Sequence, residues 1–395
     1  MFKVIRSTRL TRYLCTFGHG STPKCPTAYM TPLPKETPTL LRCQNKKHAP
    51  FHTSSRQHAA PFLAPILLKL TTPLSRLVFL LLGRRFRKWW QGLPALTKEK
   101  YMLGLTKNRN RLLVFLTLFG GTSAAYYVFH LEETPVTGRR RFMILSKKQL
   151  EEVANVQWRN LDSNLSSLRL PVNHLQHMKV VRIAKRILEA NASKEVNNLN
   201  WEINVINSKD VNAFVLANGK MYVYTGMLDA VTNDNELAGI LGHEMAHAVL
   251  NHSAEHLSRA GFVNVYSIGL LTLLWAVVPT DGLAVVASWL QSVVEDLLIS
   301  LPYSRKLERE ADEVGLLMAA RACFDVRHVP KFWERMRLVE KDTIEQQNDW
   351  LSTHPSHKNR IVWLQDLLPH ALALRSDFKC PELTHFWDSA QSLRK

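Results

Sequence analysis

The sequence predicts an α+β domain, mostly helical, with a small β-hairpin or sheet beside one histidine-bearing helix and a single N-terminal transmembrane helix as tether. Three observations carry this. An uncharged apolar run fills residues 112–129, and short alternating apolar segments fill 201–225. The stretch ELAGILGHEMAHAVLNHSAE (236–255) sets His243, His247, His252 and three glutamates into an otherwise apolar helical pattern.

The 395 residues are enough for one large domain or two ordinary ones. The net charge of +18 first suggests nucleic acid or an acidic membrane as partner, until it is located. Residues 1–110 hold 20 of the 51 Lys and Arg but only 2 of the 33 acidic residues, Glu36 and Glu99, which accounts for all of it. The other 285 residues carry 31 of each sign, so a globular nucleic-acid-binding face is not expected. At the very start, Lys3, Arg6, Arg9 and Arg12 recur at three-residue spacing among hydroxyl residues, with no acid before Glu36. This is the composition of a mitochondrial transit peptide, assigned to about 1–60 with FHTSSR (51–56) near its end.

Residues 61–111 read as a basic matrix-side segment that lies on an anionic leaflet or serves as a linker. Pro65 and Pro73, with Lys69 and Arg76, are expected to interrupt any spanning helix there. The run 112–130 is long enough to cross a hydrocarbon core. Lys98, Lys100, Lys107, Arg109 and Arg111 precede it, and Glu132 and Glu133 follow. The positive-inside bias then leaves the N-terminus in the matrix and residues 131–395 in the intermembrane space, with Arg139–Arg141 weakening the asymmetry but not reversing it.

Beyond the anchor, residues 172–190 have helical periodicity, and WEINVIN (201–207) alternates with period two. AFVLANGKMYVYT (213–225) places two short runs around Asn-Gly, a two-residue hairpin signal. No GxxxxGK[ST] loop exists, so ATP hydrolysis is not indicated. With Cys15, Cys25 and Cys43 in the removable part, Cys323 and Cys380 remain. Neither belongs to a CxxC pair, and whether they bridge is open.

On a helix, His243 and His247 project from one face a turn apart, a spacing at which two imidazoles bind one Zn²⁺. Glu244 is rotated about 100° away, suited to act as general base on a water rather than as a ligand. Asn233 or Asp234 offers the N-cap, and Leu237, Ile240, Leu241, Val249 and Leu250 the apolar faces. A third ligand six residues after His247, as in metzincins, fails because that position is Ser253. His252 and His256 are therefore read as surface or helix-end residues. The third ligand is sought in LPYSRKLEREADEVG (301–315), where Glu308 and Asp312 share a face. Glu308 would bind the metal and Asp312 would orient a ligand histidine through its second nitrogen. Glu310, about 200° round, is read as solvated.

NAFVLANGKMYVYTGML (212–228), the zinc helix and SRKLEREAD (304–312) together resemble the metallopeptidase family of the heat-shock membrane protease HtpX and the CAAX prenyl proteases. With the N-terminal address, the single anchor and STHPSHKNRI (352–361), residues 110–380 are similar to a mitochondrial inner-membrane branch of that family. The resemblance implies a zincin-like (gluzincin) fold with one zinc, and ATP-independent cleavage of inner-membrane proteins, including the dynamin-like fusion GTPase. It also implies homo-oligomerisation and self-cleavage under stress. It assigns an edge strand at Asn212, Ala213 and Phe214, with Val215, to substrate binding by β-augmentation. His354 would stabilise the oxyanion, with Arg360 a lesser candidate.

Two further apolar stretches, 261–279 and 283–301, lie between His247 and Glu308. Because both ligands must meet one ion, this insert crosses the bilayer twice or not at all. Two crossings would bury Glu295 and Asp296 at about 2–3 kcal/mol each near a helix centre. A hairpin packed in the domain or dipping into the outer membrane face is therefore expected. Two rival readings remain: a non-catalytic zinc-binding scaffold, and an endoplasmic-reticulum CAAX protease. The single clear span and acid-poor N-terminus disfavour the latter.

Overall fold

The structure, a computed structural model, describes residues 73–296, 300–342, 354 and 358–383. The transit-peptide assignment and Cys15, Cys25 and Cys43 lie outside the described residues, as does 61–72 of the basic segment.

The first three helices are α1 (Pro73–Gly92), α2 (Ala95–Lys107) and α3 (Arg109–Phe129). Pro73 opens α1, where its missing N–H costs nothing. Arg76, in the first turn of α1, donates to Asn264 Oδ1 at 2.7 Å. Helix α3 exposes its apolar side chains along its whole length, and by length and composition it could cross a membrane.

A two-stranded hairpin of β1 (Leu131–Glu133) and β2 (Arg140–Phe142) then leads into α4 (Lys147–Leu165), which Ser146 and Gln149 cap reciprocally. Helix α5 (Leu175–Ala190) and the single turn α6 (Lys194–Asn197) precede a three-stranded sheet. Its strands are β3 (Glu202–Ile206), β4 (Ala213–Val215) and β5 (Lys220–Tyr224), in the order β3-β5-β4. Strand β3 is parallel to β5, and β4 is antiparallel to it, so β4 is an edge strand. The hairpin forms where Asn-Gly predicts it, but not as a two-residue turn. Leu216 and Lys220 close a loop in which Gly219 alone takes a positive φ, of 87°. That is the three-residue arrangement with a left-handed glycine.

The short α7 (Thr225–Ala230) leads to α8 (Asp234–Val249), followed by α9 (His252–Val277), α10 (Asp281–Glu295), α11 (Leu301–Arg321), α12 (His328–Asp342) and α13 (Lys358–Asp377). The core is built where α5, the sheet, α8, α11 and α12 meet. Ile183, Ile187, Val205, Met221, Leu237, Leu241, Met245 and Phe332 are all buried there. Each such side chain contributes roughly 1.5–3 kcal/mol on leaving water.

Helices α9 and α10 form the insert, and they do not pack into this core. Tyr266 of α9 lies 6.3 Å from Phe119 of α3 between ring centroids, and Phe262 lies 5.5 Å from Tyr127, so α9 runs antiparallel to α3. Helix α1 lies along the same hairpin. Its Gln91 donates to the Pro279 carbonyl at 3.1 Å, and Arg84 and Arg87 both bond Asp281. Leu273, Val277, Val286 and Trp289 remain exposed. Glu295 is held by Ser267 at 2.9 Å, which places it near the base of the hairpin rather than its tip.

Cys323 and Cys380 form a disulfide that joins the end of α11 to the segment after α13, closing a loop of 57 residues. Replacing both by Ser is expected to lower the unfolding free energy by about 2–4 kcal/mol, read by denaturant titration under oxidising conditions. An unchanged midpoint would show that the cross-link does not constrain the unfolded chain.

Candidate metal centre

Helix α8 is buried on every side, which its apolar pattern requires and its charges must survive. Asn233 caps it, its Oδ1 accepting from the Asn235 and Glu236 N–H groups at 3.0 Å each. The buried Glu236 is neutralised by Arg335 at 2.6 Å. His243 and His247 therefore sit on a rigid rod, not on a loop.

The partner rod is α11. Gly242 and Gly315 let the two backbones touch. A Cβ on Gly315 would lie 2.6 Å from the His243 nitrogen, and one on Gly242 would lie 2.6 Å from the Gly315 carbonyl oxygen. One and two turns before that contact, Asp312 and Glu308 face the histidines. His243 Nε2 and His247 Nε2 are 3.1 Å apart, and each is 3.4 Å from a Glu308 oxygen. Tetrahedral donors at 2.0–2.1 Å from zinc would be separated by about 3.4 Å. The imidazole and carboxylate donors thus fit zinc in both type and spacing.

His354 also joins the cluster. Its Nδ1 is 2.8 Å from Glu308 Oε2 and 3.2 Å from His243 Nε2, and the four donors lie within 4.8 Å of one another. Its Nε2 is 3.6 Å from Glu244 Oε1. His354 thus offers a fourth donor beside the three residues sought from the sequence. Glu244 itself is buried and outside the four-donor set.

Behind His243, the Nδ1 atom is 3.0 Å from Asp312 Oδ1. Asp312 in turn accepts from Arg360 Nε at 2.8 Å and Nη2 at 2.7 Å. The Arg360 guanidinium lies 3.5 Å from the Trp333 ring centroid. Arg360 is thus a buried anchor of Asp312, not merely a cap for α13. At His243 burial opposes the charged ring, but hydrogen bonds to Asp312 and Glu308 outweigh it and push the pKa up to about 9. At His247 burial prevails and, with the neighbouring His243 charge, holds the ring down to about 3. Glu308 is buried too, yet the facing His354, His243 and His247 hold it well below the usual carboxylate range.

Two sequence readings are corrected. His252 does open a helix, α9, but it is not at the surface, and Glu310 is not solvated; both are buried, at 3% and 6% exposure. Helix α8 stops at Val249, and Asn251 takes a left-handed φ of 54°, so the chain folds back and brings His252 Nδ1 to 2.9 Å from His247 Nδ1. The face of α11 that carries Glu310 meets Arg139 and His252 instead of water. Asparagine just past the helix end was the one signal of this turn in the sequence. His256 is exposed, as expected. Ala213 and Phe214 open the edge strand β4, which adjoins α8, and Asn212 immediately precedes it.

Known proteins are similar to this chain over most of its length. "Metalloendopeptidase OMA1, mitochondrial" of Homo sapiens is 39% identical over 339 residues, covering 85% of this chain and 64% of the relative. The Danio rerio protein of that name is 40% identical, covering 84% of this chain and 70% of its own. "Mitochondrial metalloendopeptidase OMA1" of Saccharomyces cerevisiae is 30% identical, covering 79% and 89%. The chain therefore spans just under two thirds of the human protein's length. The model of peptidase family M48 matches residues 175–368, from α5 through both donor-bearing rods and into α13. Identity at this level over most of the yeast and fish relatives makes the conclusion plain: the chain belongs to peptidase family M48.

Proposed function

We propose that this chain is a zinc-dependent, ATP-independent endopeptidase anchored in the mitochondrial inner membrane. The observation that carries the reading is the convergence of His243, His247 and Glu308 donors within 3.4 Å, on two rods pressed together at Gly242 and Gly315. Bound there, zinc supplies Lewis-acid chemistry, polarising a scissile carbonyl and acidifying a water. Glu244 takes the proton of the attacking water and delivers it to the leaving amine. Asp312, held by Arg360, fixes the tautomer and direction of His243. A substrate strand adds to β4 along Asn212, Ala213 and Phe214. His354, once off the donor cluster, stabilises the oxyanion.

Residues 1–60 are the address, the run 112–130, most of it in α3, is the anchor, and 131–395 form the peptidase domain in the intermembrane space. Supporting this are the charge asymmetry around α3, its exposed apolar surface, and the mitochondrial relatives. The exposed apolar hairpin α9–α10, side by side with α3, enters the same bilayer and holds the site against membrane-tethered chains. The substrates are inner-membrane proteins, the dynamin-like fusion GTPase among them, and the enzyme acts as a homo-oligomer; the family resemblance supports these two statements.

In liposomes, the purified chain is expected to cut a bilayer-tethered peptide without nucleotide, to lose this on chelation and to regain it with zinc. Cleavage that survives complete zinc removal would overturn the reading. One observation favours a second reading, a non-catalytic zinc-binding scaffold: His354 as a fourth donor closes the coordination shell. Zinc binding without any cleavage would select it.

A further inference from the structure

Behind the second imidazole lies a chain of polar contacts that the reaction does not use. His247 Nε2 faces Glu308 and His243, which leaves Nδ1 at the rear. With Nε2 donating its lone pair to a metal, the proton of His247 resides on Nδ1. The neighbour of that Nδ1 is His252 Nδ1, at 2.9 Å, which must then accept. His252 consequently carries its own proton on Nε2, directed at Glu310 Oε2 at 3.3 Å. Glu310 accepts in addition from Arg139 Nε at 2.8 Å and from Thr137. Every link has a donor meeting an acceptor, and only one tautomer of each ring satisfies all of them.

Arg139 fixes the far end. Its Nη1 and Nη2 donate to the two oxygens of Glu255 at 2.6 Å each, a bidentate pair, and Tyr303 donates to Glu255 Oε1 at 2.5 Å. One guanidinium thus joins α9, which carries His252 and Glu255, to α11, which carries Glu310 and Tyr303. Glu255 is fully buried and His252 and Glu310 nearly so, so water is a poor substitute for any link. Arg139 itself belongs to the turn between β1 and β2, directly after α3. Thr134 braces that turn, its N–H donating to the Arg139 carbonyl at 2.8 Å and its Oγ1 accepting from the Arg139 N–H at 2.9 Å.

We propose that Arg139, delivered by the turn that follows the α3 anchor, is a positioning residue for His247, acting through Glu310 and His252. The inference rests on the reading above that His247 is a zinc ligand. It gives the second imidazole the same backing that Asp312 and Arg360 give the first, a carboxylate locked by an arginine. It also ties the metal site to the piece of chain that joins the anchor to the domain. A shift of the β1–β2 turn away from α11 withdraws Arg139 from Glu310, leaves His252 unheld behind His247, and loosens the metal.

The test is the zinc affinity of the full chain, measured by competition with a chromophoric chelator, for Arg139→Gln, His252→Ala and the double variant. Thermal unfolding of each zinc-free protein is followed alongside. Each single change is expected to weaken zinc binding about 10–100-fold. The double variant is expected to be no weaker than the worse single one, because both changes break one path. Arg139→Lys, which keeps the charge but cannot grip two carboxylates bidentately, falls in between. A purely structural role would lower the zinc-free melting temperature while leaving zinc affinity at the wild-type level, or would make the two losses multiply. Either result overturns the proposal. Should Arg139→Gln not fold, Arg139→Lys alone and combined with His252→Ala carries the same comparison. If the wild-type chain binds no zinc, the metal reading itself has failed, which a wild-type affinity in the variants does not imply.

Discussion

Glu244→Gln is expected to lower the rate of peptide cleavage by about 10²–10⁴-fold, the usual contribution of a positioned general base. It should leave one zinc per chain and a near wild-type melting temperature. Glu244 follows His243 on α8 but stands outside the donor set, with Oε1 3.6 Å from His354 Nε2. Glutamine keeps the shape and loses only the ability to take a proton. Neither the N-cap at Asn233 nor the contact at Gly242 involves this side chain. The check is kcat/KM on a peptide substrate together with metal analysis of the same preparation. Substantial turnover by this variant would remove Glu244 from the reaction, and loss of zinc would show that it serves the ligand cluster instead.

Gly315→Ala is expected to damage the site without changing any ligand. Its new methyl group would meet the His243 nitrogen at 2.6 Å and the Gly242 carbonyl carbon at 2.7 Å. Those are backbone atoms of a helix buried on every side, so they cannot swing aside as a side chain could. Helices α8 and α11 must move apart, an overpacking strain of about 1–3 kcal/mol. The movement also separates His243 and His247 from Glu308, so zinc affinity falls with stability. Gly282→Ala, on α10, is the matched control, since nothing lies within 4 Å of its added carbon. Urea titration and zinc competition on both variants separate a general helix effect from the contact. A Gly315→Ala protein as stable and as tight for zinc as wild type would show that the rods do not need this closeness.

Much of the site was legible because helical spacing fixes which residues share a face. His243 with His247 and Glu308 with Asp312 are both four apart, and each pair meets as that spacing implies. The cap at Asn233, strand β3 and the β4–β5 pair follow from equally local rules. What spacing cannot supply is what stands opposite a face. Glu310 points away from Glu308, but that direction holds Arg139, 171 residues earlier, and not solvent. The metzincin spacing that sets His252 aside as a ligand says nothing of the left-handed turn at Asn251, which carries it back onto His247. The partners of the hairpin α9–α10 were equally hidden, since α1 lies 188 residues before it in the Arg76–Asn264 contact. The Cys323–Cys380 bridge likewise needed coordinates to be seen.

The measurement that bears most directly on the metal site is zinc bound per chain, in full-length wild-type protein and in Glu308→Ala, after identical dialysis against a weak chelator. One equivalent in the wild type and essentially none in Glu308→Ala is the expected pair, because removing the carboxylate leaves two imidazoles and a histidine that must also serve the reaction. A full equivalent retained by Glu308→Ala would place the third ligand elsewhere and contradict the account.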